Sequence, residues 1–274
     1  MTARRIAILG GLGKTGRRVF ERLTARGLAA FGASRSSRPD FDWSDRSTWP
    51  TALRGATAAY VTYQPDLAMP RAADDIGTLA HVAAEMGVEH LVLLSARGEA
   101  GALRSEERVR RAPLDHTILR ASRLAQNFSE GAFLEGIIAG DLALPAGDVR
   151  EPFVSADDIA DAAVEALCDP VHIGRTYEIT GPRSLRFADA VAEIAAASGR
   201  HIRYRPVPAQ EFLSTLRNAG MPEDVVSRMA DLFTRTLDGR NEEVARDVEG
   251  ILGRKPIDFT EYARHAGRQG AWAA

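Results

Sequence analysis

The chain has 274 residues, 45% of them hydrophobic and 26% charged, which is the make-up of a soluble globular protein with a sizeable core in one large domain or two closely joined lobes. A net charge of -2 and an isoelectric point near 6.3 give no bulk electrostatic reason to expect nucleic acid or a membrane surface as a partner. The single cysteine, Cys168, forms no internal disulfide, and no stretch approaches the ~18 apolar residues of a spanning helix. The expected setting is the cytoplasm, the expected partner a small molecule, and the expected state a monomer or homodimer.

In chain order, short aliphatic or β-branched runs at Arg5–Leu9, Ala29–Ser34, Ala58–Thr62, Leu91–Ser95 and His116–Leu119 alternate with longer amphipathic segments. That alternation is the pattern of a parallel sheet wrapped by helices. Lys14–Arg26 is the clearest helix: Val19, Phe20 and Leu23 share one face, Arg17, Arg18 and Arg22 are left for solvent, and Gly27 ends it. A second helix, Arg71–Met86, ends before Gly87 and leads into Leu91–Leu94. Beyond Leu119 the periodicity changes. Phe187–Ser198, Gln210–Asn218 and Pro222–Leu237 read as helices, with short strands at Thr176–Thr180 and Ile202–Pro206. The expected fold is α/β: a doubly wound parallel sheet over residues 1–120, then a smaller, mostly helical substrate lobe over 121–274, with about 150–180 returning to the sheet domain.

The first strand runs into Gly10-Gly11-Leu12-Gly13-Lys14-Thr15-Gly16. An ATP loop needs a glycine five residues before Gly13-Lys14, and that position is Ile8. The competing template spaces Gly10, Gly13 and Gly16 three apart between strand and helix, for a tight turn, a close approach to pyrophosphate and helix–strand packing. Glycine-rich turns also occur without a ligand, so the second strand's end matters. There a site for NAD carries an acidic residue for the ribose 2′-hydroxyl. This chain has Ser34-Arg35-Ser36-Ser37-Arg38, whose hydroxyls and guanidinium groups suit the 2′-phosphate of NADP. A solvated basic loop is the alternative.

The runs GGLGKTGRRV, ASRSS, FDWSD, STW, GVEHLVLLSA, LDHTILRASRLAQNF and PFVSADDIA resemble the NmrA-like atypical short-chain dehydrogenases. Within them the GKT, ASRSS, FDW and TW features are most similar to the ergot-alkaloid reductase group. The resemblance extends to the segment from Gly253 to Trp272 and so covers nearly the whole chain. It implies a Rossmann-like domain binding NADP(H). Gly10, Leu12, Gly13, Lys14, Thr15 and Gly16 would serve the pyrophosphate, and Ser34, Arg35 and Arg38 the 2′-phosphate. Asp42, with Trp43 beside it, would serve adenine, and Thr62, Tyr63, Gln64, Ser95 and Ala96 the ribose and nicotinamide. Relatives carry proline and methionine where this chain has Ala121 and Ala125, which implies a reshaped loop beside the nicotinamide.

Ordinary short-chain dehydrogenases protonate an alkoxide with a Tyr-x-x-x-Lys pair after the fourth strand. Between Ser95 and Leu119 this chain has neither tyrosine nor lysine. Simple ketone chemistry by that route is therefore not expected. An iminium ion needs no proton in the hydride step, and a quinone or quinone methide gives an anion that water can protonate. The expected reaction is direct hydride transfer from NADPH to such an electrophile. Catalytic candidates are Tyr63 and Ser95; substrate contacts are assigned to Arg97, Phe128 and Phe153, with Phe133 and Met221 as further pocket candidates beside a plain-core reading. Glu106 and Glu107 read as surface partners of the neighbouring arginines. Asp157-Asp158 reads as a helix-capping pair, and the six histidines show no metal-type spacing. A non-catalytic NADP(H)-sensing regulator, or an isomerase or cyclase on the same scaffold, are the competing functions.

Overall fold

The computed structural model describes residues 4–273, apart from the side chains at 224, 228 and 235. The chain runs β1 (Arg5–Leu9), α1 (Lys14–Ala25), β2 (Ala29–Ala33), α2 (Trp49–Leu53), β3 (Ala58–Val61), α3 (Ala72–Glu85), β4 (His90–Ala96), α4 (Ala100–Arg110) and β5 (Asp115–Ala121). It continues through α5 (Leu134–Ala139), β6 (Asp141–Leu144), β7 (Arg150–Glu151), α6 (Ala156–Cys168), β8 (Thr176–Ile179), β9 (Leu185–Arg186), α7 (Phe187–Ser198) and β10 (Arg203–Pro206). Last come α8 (Ala209–Asn218), α9 (Glu223–Asp231), α10 (Asp247–Leu252) and α11 (Phe259–Arg268). The helix expected over Pro222–Leu237 is interrupted: α9 ends at Asp231 and a single π-type turn, Leu232–Thr236, comes next.

Two units divide the chain. The first holds the stretch ending at Ala121, together with Ala156–Ile179 and Arg246–Lys255. Its six strands pair all in parallel in the order β2-β1-β3-β4-β5-β8. From β1 the chain goes outward to β2, then crosses back to β3 on the other side. That reversal opens a crevice at the carboxyl ends of β1 and β3, the place where doubly wound sheets take ligands. Helices cover both faces, so the strands read as unbroken apolar runs rather than alternating ones. Ala7, Leu9, Ala59, Val61, Leu91 and Leu93 share one core with Ile76, Leu79 and Ala83 of α3 and Val109 of α4. Ile6 and Ile8 point to the opposite face, where α1 lies against α6.

The α1–α6 contact corrects the expected exposure of α1. Val19 and Leu23 are buried, but Phe20 is 37% exposed. Arg22 donates to Asp157 at 2.7 Å and to Asp161, Arg18 lies 3.4 Å from Asp157, and Arg26 donates to Glu165. Arginines spaced four apart on α1 and its C-cap, Arg26, thus meet acids spaced four apart on α6, each set falling on one face of its helix. Asp157 and Asp158 occupy the first turn of α6 and not its cap; Asp158 accepts from Arg254 at 2.7 Å. Both carboxylates are held by other segments, and the helix dipole favours them there.

The second unit holds Ser122–Ser155, Thr180–Ala245 and the stretch beginning at Pro256. It contains two two-stranded sheets, β10 with β6 in parallel and β7 with β9 antiparallel, and α7 packs on α11. Its core centres on Phe128, whose ring lies 5.1 to 6.3 Å from those of Phe133, Phe153, Phe187 and Phe259. Trp272 donates its indole N–H to the Phe128 carbonyl at 2.8 Å, tying the end of the chain to that core.

Candidate functional site

Where β1 ends, the backbone turns at Gly10 with φ of 88°, a conformation that favours glycine. A Cβ at Gly10 would also stand 2.3 Å from Thr62 Oγ1. Gly10 N–H donates to the Ala33 carbonyl at 2.9 Å and Gly13 N–H to the Gly10 carbonyl at 2.8 Å, so the loop is fastened to the end of β2. A Cβ at Gly16 would come within 2.3 Å of the Gly10 oxygen, so α1 starts directly on this loop. No side chain caps α1 at Gly13, and its first turn holds no acidic residue. The positive dipole end of a helix with no acidic side chain in its first turn is what an anion requires.

A cleft of about 520 Å³ opens here, within the first unit. Gly10, Leu12 and Gly13 line it from the β1 loop, Ser34, Arg35 and Ser36 from the β2 loop, and Tyr63, Gln64 and Pro65 from the β3 loop. Phe41 to Ser44 and Arg71 complete the lining. The Arg35 and Arg38 side chains are exposed, and Ser34 Oγ is buried without a hydrogen-bond partner. Asp42 Oδ1 accepts from the Ser44 N–H at 2.9 Å and its hydroxyl at 2.7 Å, bonds that hold its carboxyl below the usual range. Trp43 donates Nε1–H to the Thr62 carbonyl at 3.1 Å, and its ring lies 4.6 Å from that of Tyr63.

The remaining expected site residues stand elsewhere. Lys14, Thr15 and Gly16 open α1, with Thr15 buried; Arg38 is outside the cleft lining; Thr62 Oγ donates to the Leu9 carbonyl at 3.1 Å. Ala96 ends β4 and does not line the cleft. Both catalytic candidates have committed hydroxyls. Tyr63 donates to Asp75 Oδ2 at 2.7 Å; burial, and then the adjoining carboxylate, push its pKa up. Ser95 is buried and donates to Glu106 Oε1 at 2.7 Å.

Glu106 corrects the surface reading. It is fully buried at the carboxyl-terminal side of β4 and β5, where Arg120 Nη2 donates to it at 2.7 Å and Arg110 at 3.1 Å. Burial raises its pKa, but the hydrogen bonds from Arg120 and Ser95 outweigh this and hold it below the usual range. Arg120 continues to Glu178 at 3.0 Å, and Glu178 accepts from Arg97 at 2.9 Å. Arg97, expected to meet substrate, is therefore part of an ion-pair chain. Glu107 is the surface partner expected, paired with Arg111 at 2.8 Å.

Phe128 and Phe153, expected to contact substrate, are core residues of the second unit, 0% and 2% exposed, as is Phe133; Met221 is 44% exposed. Burial of large aromatic area is sufficient reason for these rings. The cleft also takes in Phe41, Ser44, Pro65 and Arg71, none of which the sequence alone assigned to the site. The FDW run pointed to the first; nothing in spacing marked Arg71 beyond a helix start. Among the described residues no group of three or more His, Cys, Asp and Glu is placed to hold a metal ion. None of the helices among the described residues is long and apolar enough to cross a membrane.

No known family model matches the chain. It is similar to the agroclavine dehydrogenase of Claviceps fusiformis, 28% identical over 275 residues that cover 94% of this chain and 95% of the relative. It is similar also to the NAD(P)H azoreductase of Xenophilus azovorans, 27% identical over 294 residues, with 97% and 99% covered. Among solved structures it matches Citrobacter triphenylmethane reductase complexed with NADP(H) at TM-score 0.80 and 19% identity, covering 96% and 99% of the two chains. It matches the negative transcriptional regulator NmrA in complex with NADP at TM-score 0.73 and 16% identity, covering 100% and 98%. The similarity to the ergot-alkaloid reductases read from the sequence is borne out by the agroclavine dehydrogenase, and the doubly wound fold by the solved structures.

Proposed function

We propose that this chain, a relative of the ergot-alkaloid reductases with the fold of the NmrA-like atypical short-chain dehydrogenases, is an NADP(H)-dependent reductase that passes hydride directly to a conjugated electrophile. An imine or iminium ion, a quinone or a quinone methide is the substrate class. The observation that carries the cofactor is the cleft at the β1–β3 switch point, with the uncapped α1 terminus on one side and Ser34 and Arg35 on the other. Its chemistry fits the group: Arg35 lines the cleft, α1 starts beside it with no acidic residue in its first turn, and the buried Ser34 hydroxyl lacks a partner.

Reduced NADP supplies a hydride when bound. The chain supplies position: Gly10 and Gly13 allow the backbone to approach phosphate, Arg35 from the lining and Arg38 from the same exposed loop select the 2′-phosphate, and Trp43, Tyr63 and Gln64 wall the cleft. Tyr63 and Ser95 hold their protons toward Asp75 and Glu106, and the Tyr-x-x-x-Lys pair is missing. Chemistry that needs no protein acid in the hydride step suits that inventory, with orientation as the main contribution. Loss of NADPH absorbance across a panel of iminium, quinone and simple ketone acceptors tests the reading. Turnover of the first two classes and not of ketones is expected; tight NADPH binding with no turnover on any acceptor would instead mark an NADP(H)-sensing regulator.

A further inference from the structure

Tyr63 and Arg71 reach the cleft from different segments, one just beyond β3 and the other at the start of α3, yet one carboxylate fixes both. Tyr63 Oη donates to Asp75 Oδ2 at 2.7 Å, and Arg71 Nε donates to the same oxygen at 2.8 Å. Arg46 Nη2 donates to Asp75 Oδ1 at 2.8 Å and to the exposed Asp74 at 2.5 Å. Asp75 itself is 0% exposed, so it meets no ligand. An ionised carboxylate survives such burial only with its lone pairs satisfied, and here donors from three segments satisfy it.

The consequence is a preset wall. The Arg71 side chain keeps 57% of its surface exposed while its guanidinium is anchored, and the Tyr63 ring is held between that anchor and Trp43. Free in solution, an arginine loses considerable rotamer entropy on ordering over a ligand; an arginine already pinned loses less. Aromatic rings and a planar guanidinium together suit a flat heterocycle, which they stack on without reading its hydrogen-bonding edge. The same cleft carries Ser34 and Arg35 for a phosphate. We propose that Asp75 is a positioning residue for the adenosine half of the dinucleotide, holding the Tyr63 ring and the Arg71 guanidinium as a ready-made wall for the adenine base. This rests on the NADP(H) reading, and it moves Tyr63 from catalysis, and from the ribose and nicotinamide, to the adenine.

Calorimetric titration with 2′,5′-ADP, the adenosine half alone, tests it without any turnover. Wild type is expected to bind the probe. Asp75→Asn and Arg71→Met should each weaken it about tenfold, and the double variant should be no weaker than the poorer single one, because Asp75 acts through Arg71 and Tyr63. Asp75→Asn that only lowers Tm, with unchanged probe affinity in the folded protein, would overturn the proposal. Should Asp75→Asn fail to fold, the half-exposed Arg71→Met and Tyr63→Leu carry the test, and full probe affinity in both would overturn it equally. A wild type that binds neither NADPH nor 2′,5′-ADP would remove the NADP(H) reading itself, whereas normal wild-type binding with indifferent variants would remove this inference alone.

Discussion

Replacing Arg35 and Arg38 together by alanine is expected to weaken NADPH binding by two to three orders of magnitude while moving NADH by no more than a few fold. Both guanidinium groups are exposed on the loop after β2, and Arg35 lines the cleft. Among the described residues neither donates a hydrogen bond to a carboxylate; Arg35 acts on Asp42 only through its charge. A charge-assisted hydrogen bond contributes about 1.5–3 kcal/mol, and solvent screening places two such bonds toward the lower part of their sum. About 3–4 kcal/mol corresponds to roughly a hundredfold to a thousandfold in dissociation constant. NADH has no 2′-phosphate and so no partner to lose. The NADPH penalty should shrink as salt is added, since these are surface charges. Titration of both nucleotides against wild type and variant checks this, and an equal loss for the two would remove the 2′-phosphate from this loop.

Glu106→Gln should destabilise the protein by about 3 kcal/mol, the lower end of the cost of removing one partner from a buried ion pair. The lower end applies because Arg120 keeps Glu178 at 3.0 Å after Glu106 is lost. In thermal unfolding the fall in Tm should be roughly 5–10 °C. Acid should act on the same group in wild type. The folded carboxyl is held below its usual range, so the unfolded chain binds the proton first. Its contribution is complete above the unfolded value of about 4.3 and is lost as pH falls through the lower folded one. His90 adds an earlier loss: burial, then the Arg4 charge, push it down to about 4. The folded ring stays neutral while the unfolded one takes a proton below about 6.5, so stability declines from there and levels off near the folded value. Tm measured against pH should decline in both steps for wild type, and Glu106→Gln should shrink the lower one, which Asp42, Asp75 and Asp258 share because their carboxyls are also held below the usual range.

The parts of this molecule that local sequence decides are legible in the chain itself. β1, its glycine loop and α1 arise from an apolar run, glycines three apart and a helical face with Val19 and Leu23. Gly10, Gly13, Ser34, Arg35, Tyr63 and Gln64 meet at one cleft because three strand ends face the same switch point. Features decided by long-range pairing are not legible in this way. Arg22 meets Asp157 across 135 residues of chain, and no local pattern says that those two helices adjoin. Glu106 sits among Arg104, Glu107, Arg108 and Arg110, a setting that reads as solvated; its burial depends on Arg120, one strand away. Phe128 and Phe153 carry the ambiguity of every aromatic residue, since a pocket wall and a core both ask for apolar area. Arg71 and Asp75 look like the ordinary first turn of a helix, and only the position of Tyr63 gives them a role.

The most direct measurement of the central claim is transfer of label from NADPH carrying deuterium at both positions of nicotinamide C4 to an iminium acceptor, read by mass spectrometry of the amine product. Direct hydride transfer predicts one deuterium on the former iminium carbon, with NADPH consumed in equal amount. Bound NADPH that is never consumed, or an amine without the label, would contradict it.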